Sequence, residues 1–241
     1  MLRIRVDDPR AVALKSAIQG GDVDALERQI RHDASLATAR IVDDRGVART
    51  LLHVAADWPG HFPNGARSVA VLVAAGADID AAVTPGVQGS AETPLHWAAS
   101  SDDVAVLDAL LDGGANIEAP GAVFTGGTAM SDAVVFAQWR AARRLLERGA
   151  TTTIWQAAAL GLLDRVRAAA TSDTLTPHDI TNAFWHACRG GQQSTAEYLL
   201  GRGADPNWIG HDRKTPLDVA HESGNGNLVQ WLESRGARRA K

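Results

Sequence analysis

The sequence predicts an all-α fold, a solenoid of stacked helix–turn–helix pairs joined by short β-hairpin fingers. One observation is a recurring segment in which a threonine or its equivalent is followed by a small residue five positions later, and in most copies by another small residue six positions later. The clearest copies are 50–56, 93–99 and 215–220, and the weaker ones are 128–134, 152–158 and 182–188. A second observation is a recurring Gly-Ala step, at 76–77, 114–115, 149–150, 203–204 and 236–237. In four copies, the residue in the second position of the small pair (Ala99, Val134, Cys188 and His221) lies 15 positions before that glycine.

Each part of this pattern has a physical reason. A threonine in front of the first helix of a pair caps it. A proline in the next position, as at Pro94 and Pro216, occupies the first turn, where no amide hydrogen bond is lost. Glycine after the second helix takes the left-handed conformation that ends the helix. Because one helix pair cannot bury its own apolar face, the pairs must stack.

The recurring segment resembles the ankyrin-repeat family, most clearly at 93–99, which reads Thr-Pro-Leu-His-Trp-Ala-Ala. The resemblance covers essentially the whole chain, and a repeat of about 33 residues leaves room for about seven copies in 241 residues. It implies a single ankyrin-repeat domain over 1–241, in which a concave face and fingers contact a protein partner. The expected divisions are an amino-terminal cap at 10–48, repeats at about 49–91, 92–126, 127–151, 152–180 and 181–213, and a carboxy-terminal cap at 214–241.

Composition excludes several classes of function. A net charge of −4 and a pI near 6.0 argue against a nucleic-acid protein, which needs a basic surface. Cys188, the single cysteine, excludes an intrachain disulfide and a cysteine zinc site, and the eight histidines show no metal-ligand spacing, so no metal or cofactor is expected. No apolar run approaches the ~18 residues of a membrane helix, and the first residues lack a signal-peptide core. We therefore expect a cytoplasmic, soluble protein without membrane contact.

Function in a repeat protein is best sought where the chain departs from the repeat. In the second helix pair, five extra residues enlarge the turn at 57–68, which contains Asp57, Trp58 and His61. Its aromatic residues either fasten the turn to the next repeat or form a wall beside the groove. The connection at 81–92 is also long and rich in glycine and proline, which indicates an elongated finger that contacts a partner or is merely tolerated.

In the middle of the chain, the connection between repeats is shortened rather than lengthened. Gly149 precedes Thr152 by three residues, which leaves no room for a finger, and the next copy ends without a Gly-Ala step in a loop at 171–179. The missing finger should open the groove there and provide a binding notch.

Polar residues replace apolar ones in three consecutive copies, immediately before the small pair: Asp132, Gln156 and His186. Trp155 and Trp185 precede the last two. A buried polar group without a partner is costly, so these residues should either pair with one another or face a wet cleft. The second interpretation predicts a small-molecule pocket of Trp, Asp, Gln and His in repeats four to six.

Seven of the twelve aromatic residues are tryptophans. Trp97 and Trp231 are expected in the core and Trp139 on the outer layer. Trp208 lies on the last finger, where an exposed tryptophan would serve as an interface anchor. The pair Asp102 and Asp103 is read as a turn and helix cap rather than as paired catalytic carboxylates.

These observations favour a non-catalytic binding module for a protein partner. The alternative is a small-molecule binder or an enzyme that uses the polar groove residues. A homo-oligomer formed through exposed aromatic residues is a third hypothesis.

Overall fold

The computed structural model describes residues 2–85, 89–171 and 175–240. Their contacts form two compact units, of which the N-terminal unit ends at Ala150 and the C-terminal unit begins at Thr151. The division falls at the connection where the sequence leaves no room for a finger. The prediction of one continuous domain with the repeat bounds given above stays a prediction.

The described part of the N-terminal unit contains three strands and eight α-helices. They are β1 (Arg3–Arg5), α1 (Pro9–Gly20), α2 (Val23–His32), β2 (Arg40–Val42), β3 (Ala48–Thr50), α3 (Leu51–Ala56), α4 (Gly65–Ala74), α5 (Pro94–Ser100), α6 (Val104–Asp112), α7 (Ala129–Val135) and α8 (Trp139–Glu147). A short 3-10 helix (Ala34–Thr38) follows α2. The helices pair as α1–α2, α3–α4, α5–α6 and α7–α8, as the repeat pattern predicts.

Six α-helices make up the described part of the C-terminal unit. They are α9 (Ile154–Ala159), α10 (Leu163–Ala169), α11 (Pro177–Arg189), α12 (Gln193–Gly201), α13 (Pro216–Glu222) and α14 (Gly226–Ser234). A 3-10 turn (His211–Arg213) precedes α13. The all-α solenoid class with hairpin fingers is therefore confirmed. Within the described residues, no helix is both long and apolar enough to span a bilayer.

The amino-terminal finger carries a strand that the repeat pattern does not predict. β2 and β3 form the expected antiparallel hairpin, with Ile41 opposite Arg49, and β1 adds in parallel, with Ile4 opposite Ile41. Ile4 is buried while Arg3 and Arg5 are exposed, which is the alternation of a strand with one covered face. This alternation of polar and apolar residues is visible in the sequence, but it lies outside the repeated segments.

Capping residues start several inner helices, which are the first helices of the pairs, as expected. Thr50 and Thr93 form reciprocal capping boxes with His53 and His96, and Thr215 does so with Asp218. Pro94 and Pro216 occupy the first turns.

The turns and helix ends also follow expectation. Asp103 caps α6 by accepting a hydrogen bond from the amide of Val106 at 3.1 Å, and Asp102 takes the left-handed conformation, which are the turn and cap roles that the sequence predicts. Gly114 and Gly203 end helices at φ of 96° and 92°.

Inner helices stack to form the core of each unit. In the N-terminal unit α5 packs between α3 and α7, and Leu52, Leu95 and Met130 are buried there. In the C-terminal unit α11 packs between α9 and α13, with Phe184 and Trp185 fully buried.

One predicted loop is partly helical. The loop at 171–179 was expected to precede an inner helix starting near residue 181, but α11 begins at Pro177. Thr176 and Asp179 form a capping box that starts the helix more than a turn early. Residues 172–174 of this loop and 86–88 of the long finger lie outside the described residues.

Candidate functional site

The enlarged turn at 57–68 is fastened by polar bonds rather than by its tryptophan. The backbone amide of His61 donates to Asp103 Oδ2 at 2.6 Å, and Asn64 Nδ2 donates to the carbonyl of Gly21 at 2.9 Å. Trp58 remains 80% exposed. The two bonds place the turn between the α1–α2 and α5–α6 turns and leave an indole presented to solvent.

A chain of charged and aromatic contacts runs from this turn to the inner helices. Arg49 Nη1 donates to Asp57 Oδ2 at 3.1 Å, and the Arg49 guanidinium lies 5.7 Å from the centre of the Trp97 ring. Trp97 also stacks edge-on against His53, with ring centroids 4.9 Å apart. Trp97 is only half-buried, so its expected place in the core is corrected: it covers the inner face between β3 and α5.

Asp132 is a buried carboxyl group of the N-terminal unit with one oxygen that forms no hydrogen bond to the described residues. It lies on α7 with 1% of its surface exposed, and its Oδ2 atom has no hydrogen-bond partner among the described residues. Burial, reinforced by the nearby Glu92 carboxylate, raises the pKa of Asp132 to about 8. Its side chain is therefore a neutral carboxylic acid at pH 7.

The C-terminal unit assembles five rings into what we call the His–Trp cluster: Trp155, Trp185, His186, Trp208 and His211. Ring centroids are 4.7 Å apart for Trp155 and His186, and 5.5 Å apart for His186 and His211. Trp185 contacts both histidines edge-on at 4.9 and 5.2 Å. The cluster thus joins α9, α11 and the last finger.

Burial divides this cluster into a floor and a rim. Trp185 and His186 form the floor, with 0% and 3% of their surfaces exposed, whereas Trp155 and Trp208 are half-buried and His211 is exposed. Trp185 Nε1 donates to the carbonyl of Lys214 at 2.9 Å. The expectation that Trp185 and His186 face a groove is therefore corrected, because they support the rim from below.

His186 is the buried polar residue of this unit. Its Nδ1 atom has no partner within the part of the chain that the structure describes. Burial, with smaller contributions from the positive charges of His211 and Arg189, lowers the pKa of His186 to about 3. The ring is accordingly neutral at physiological pH.

Gln156 has a structural role that the repeat register concealed. Thr153, not Thr152, caps α9, and the amide of Thr153 donates to Gln156 Oε1 at 2.7 Å. Gln156 therefore stands in the capping-box position that histidine holds in α3 and α5. The expectation that this amide lines a ligand cavity is corrected, because its oxygen is engaged in the cap of its own helix.

The structure also gives the burial of three other residues that the sequence analysis singled out. Trp208 is half-buried rather than fully exposed, because its ring packs edge-on against His178 and His211. Trp231 is half-buried on α14, not in the core. Cys188 is fully buried, and burial raises the pKa of its thiol, as expected of an inert cysteine.

Sequence reasoning missed His211 and His178 as members of the aromatic surface. Their histidine side chains were visible in the sequence, but only the return of the last finger over α11 brings them to the tryptophans. His211 Nε2 donates to Asn182 Oδ1 on α11 at 3.2 Å, which fixes the finger in that position.

Stacked helix pairs joined by fingers define the class of a solenoid repeat protein. The family model for the ankyrin repeat matches residues 92–122, which cover the α5–α6 pair. A similar segment occurs in the Ankyrin repeat and KH domain-containing protein mask-1 of Caenorhabditis elegans, 38% identical over 50 residues. These residues amount to 21% of this chain and 2% of that relative. With the repeated capping boxes and helix pairs, these findings support an ankyrin-repeat protein, and the match to the family model itself covers residues 92–122.

Proposed function

We propose that this chain is a non-catalytic binding module that contacts a protein partner through its inner face and fingers. Ankyrin repeats are in general protein-interaction modules, which supports a binding role. The observation that carries the proposal is the rim of the His–Trp cluster, where Trp155, Trp208 and His211 combine partial exposure with a rigid buried floor. Half-exposed tryptophans held in place lose little conformational freedom on binding, which is typical of interface anchors.

Trp58 is proposed as a second contact, on the N-terminal unit. An indole that is 80% exposed is unusual unless another surface covers it, and the polar bonds of its loop hold the backbone beside it. Asp57 and His61 are assigned to the support of this loop, through Arg49 and Asp103.

The experiment compares the partners that purified wild type and a Trp58→Ala/Trp208→Ala double variant recover from cell extract. The control is Trp231→Ala, which removes an indole from α14. We expect at least one partner to be recovered about tenfold less by the double variant than by the control, and purified partner to repeat the difference in a titration. Equal recovery of every partner by the three proteins would count against the proposal.

Small-molecule binding is the second function that a specific observation favours. Asp132 in one unit and His186 in the other each bury a polar atom that has no partner among the described residues. A carboxylic acid with a pKa of about 8 is also able to donate a proton near neutrality, as an enzyme would require. A metabolite that stabilises the wild type in a thermal-shift screen, but not the Asp132→Asn variant, would establish this alternative.

A further inference from the structure

A second surface lies where the last finger meets the carboxy-terminal tail, and its lining residues do not include the rings of the His–Trp cluster. The finger and the carboxy-terminal tail enclose a cavity of about 390 Å³, lined by Asn207, Ile209, Arg213 and Thr215 from the finger and by 238–240 from the tail. We call it the finger–tail site.

Hydrogen bonds hold the tail at two points, one on the finger and one on α13. Asn207 Oδ1 accepts from the amide of Arg238 at 2.8 Å, and Asn207 Nδ2 donates to the carbonyl of Gly236 at 3.3 Å. Asp218 accepts from Arg239 Nε and from the amide of Ala240, both at 3.0 Å. The walls of the cavity are therefore arranged before any ligand arrives, which reduces the entropy lost on binding.

The site is positively charged in a chain whose net charge is −4. Arg213 and Arg238 are exposed and form no ion pair with any residue in the described ranges. Arg239 shares the carboxylate of Asp218, and that carboxylate is already occupied by the amide and hydroxyl of Thr215. Two guanidinium groups thus border the cavity without an ion-pair partner in the described part of the chain.

An apolar side chain borders the same cavity. Ile209 is 60% exposed and lines the same cavity as the arginines, so it offers a contact for a hydrophobic group there. A phosphodiester backbone has no group that would use this contact, and the net negative charge of the chain repels a long polyanion. A peptide with carboxylates on either side of an apolar residue matches both features.

We propose that the finger–tail site binds an acidic peptide segment of a protein partner, with its carboxylates at Arg213 and Arg238 and an apolar side chain on Ile209. Guanidinium groups bind carboxylates through paired, charge-assisted hydrogen bonds. This site rests on the proposed function in one respect, because both assume that the partner is a protein. It uses no residue of the His–Trp cluster.

The test measures the fluorescence anisotropy of a labelled peptide in which glutamates flank one leucine. The site variant is Arg213→Gln/Arg238→Gln. Its matched control is Arg28→Gln/Arg140→Gln, which removes the same charge at two exposed arginines of the N-terminal unit that have no ion pair among the described residues. We expect saturable binding to wild type and control, and binding about tenfold weaker to the site variant.

Two peptide controls separate charge from apolar contact. Replacing the glutamates by glutamines should abolish saturable binding, and replacing the leucine by serine should weaken binding to wild type but not to an Ile209→Ser variant. Raising the salt concentration to about 0.5 M should weaken binding of the acidic peptide, because exposed charge pairs are screened.

Several outcomes would overturn the proposal: no saturable binding by wild type, equal affinity for site variant and control, or tighter binding of single-stranded RNA than of the peptide. The Trp58→Ala variant, which alters only a proposed contact of the N-terminal unit, should bind the peptide normally. If all proteins recover every partner equally but the peptide binds as expected, only the proposed function is rejected. If partner recovery differs as expected but the peptide does not bind, only the finger–tail site is rejected.

Discussion

Buried polar atoms without partners distinguish single residues of this chain from ordinary repeat positions. Among the described residues, Asp132 and His186 are 1% and 3% exposed, and each occupies a slot that a large apolar side chain would fill more favourably. Burial raises the pKa of Asp132 and lowers that of His186, and both shifts favour the neutral form. Neither residue therefore carries charge at pH 7. A buried polar atom without a hydrogen bond is expected to cost stability at both positions.

Replacing Asp132 by asparagine should stabilise the protein increasingly as the pH rises. The pKa of Asp132 is about 8 in the folded state against an ordinary value of 3.8, so the folded state holds the proton more tightly. The stabilising contribution of the bound proton is therefore complete below pH 3.8 and is lost as the pH rises toward 8 and beyond. The gain from Asp132→Asn should be on the order of 3 kcal/mol larger at pH 8 than at pH 5, measured by urea denaturation.

The control for this substitution is Asp164→Asn, which removes a carboxylate whose side chain is 97% exposed. A gain of equal size in the control, or a gain from Asp132→Asn that does not change with pH, would show that Asp132 is not held neutral by burial.

At the scale of elements, the close approach of inner helices depends on small residues at the turns. Gly190 ends α11 directly against the last turn of α9, and a Cβ atom there would collide with the carbonyl oxygen of Ala159. That close contact lies between α9 and α11, and the ring contact between Trp155 and His186 joins the same two helices. The geometry of the rim therefore depends on this turn.

Gly190→Ala should destabilise the C-terminal unit by roughly 1–3 kcal/mol, because a backbone atom must move to admit the methyl group. Gly201→Ala is the matched control, since a Cβ atom at Gly201 in α12 meets nothing within 4 Å. The control should change stability by less than about 1 kcal/mol, in the stabilising direction. Equal urea midpoints for the two variants would contradict the proposed crowding at the α9–α11 contact.

At the scale of the whole molecule, the two compact units differ in their buried titratable groups. Burial lowers the pKa of His186 to about 3 in the C-terminal unit and that of His53 to about 3 in the N-terminal unit, where burial also lowers the pKa of His96. The N-terminal unit additionally contains carboxyl groups whose pKa values burial raises, at Asp57, Glu92 and Asp132. Acid therefore has opposing effects within the N-terminal unit.

Lowering the pH from 7 to 5 should destabilise the C-terminal unit more than the N-terminal unit. The unfolded state binds a proton at His186 near its ordinary pKa of 6.5, and the folded state does so only near 3, so stability falls as the pH drops through that window. The loss at pH 5 is about 2 kcal/mol. Hydrogen exchange of peptides from each unit, corrected for the intrinsic rate, measures the difference.

His186→Leu should remove most of this pH dependence in the C-terminal unit, whereas His178→Leu, at an exposed histidine of the same helix, should leave it in place. If both units of the wild type lose protection from hydrogen exchange equally, His186 is not the cause of the pH dependence.

Much of the fold could be predicted because it follows from local chemistry. The threonine caps, the proline in the first turn and the glycine after the second helix act within a few residues of one another, so their spacing alone indicates helix pairs. Long-range order was less accessible. β1 pairs with β2 through Arg3 and Arg40, which lie far apart in the chain, and no local rule selects that partner for the alternating segment Arg3–Arg5.

The candidate site shows the same division. The sequence by itself determined that the chain is a stack of capped helix pairs, and it placed tryptophans, Asp132 and His186 on the inner helices. Only the tertiary structure decided which of them reach solvent: it buried Trp185 and His186, assigned Gln156 to a cap, and brought His211 to the rim through the last finger. The physical reason is that caps and turns are short-range interactions, whereas exposure depends on how a side chain is covered by elements distant in the sequence.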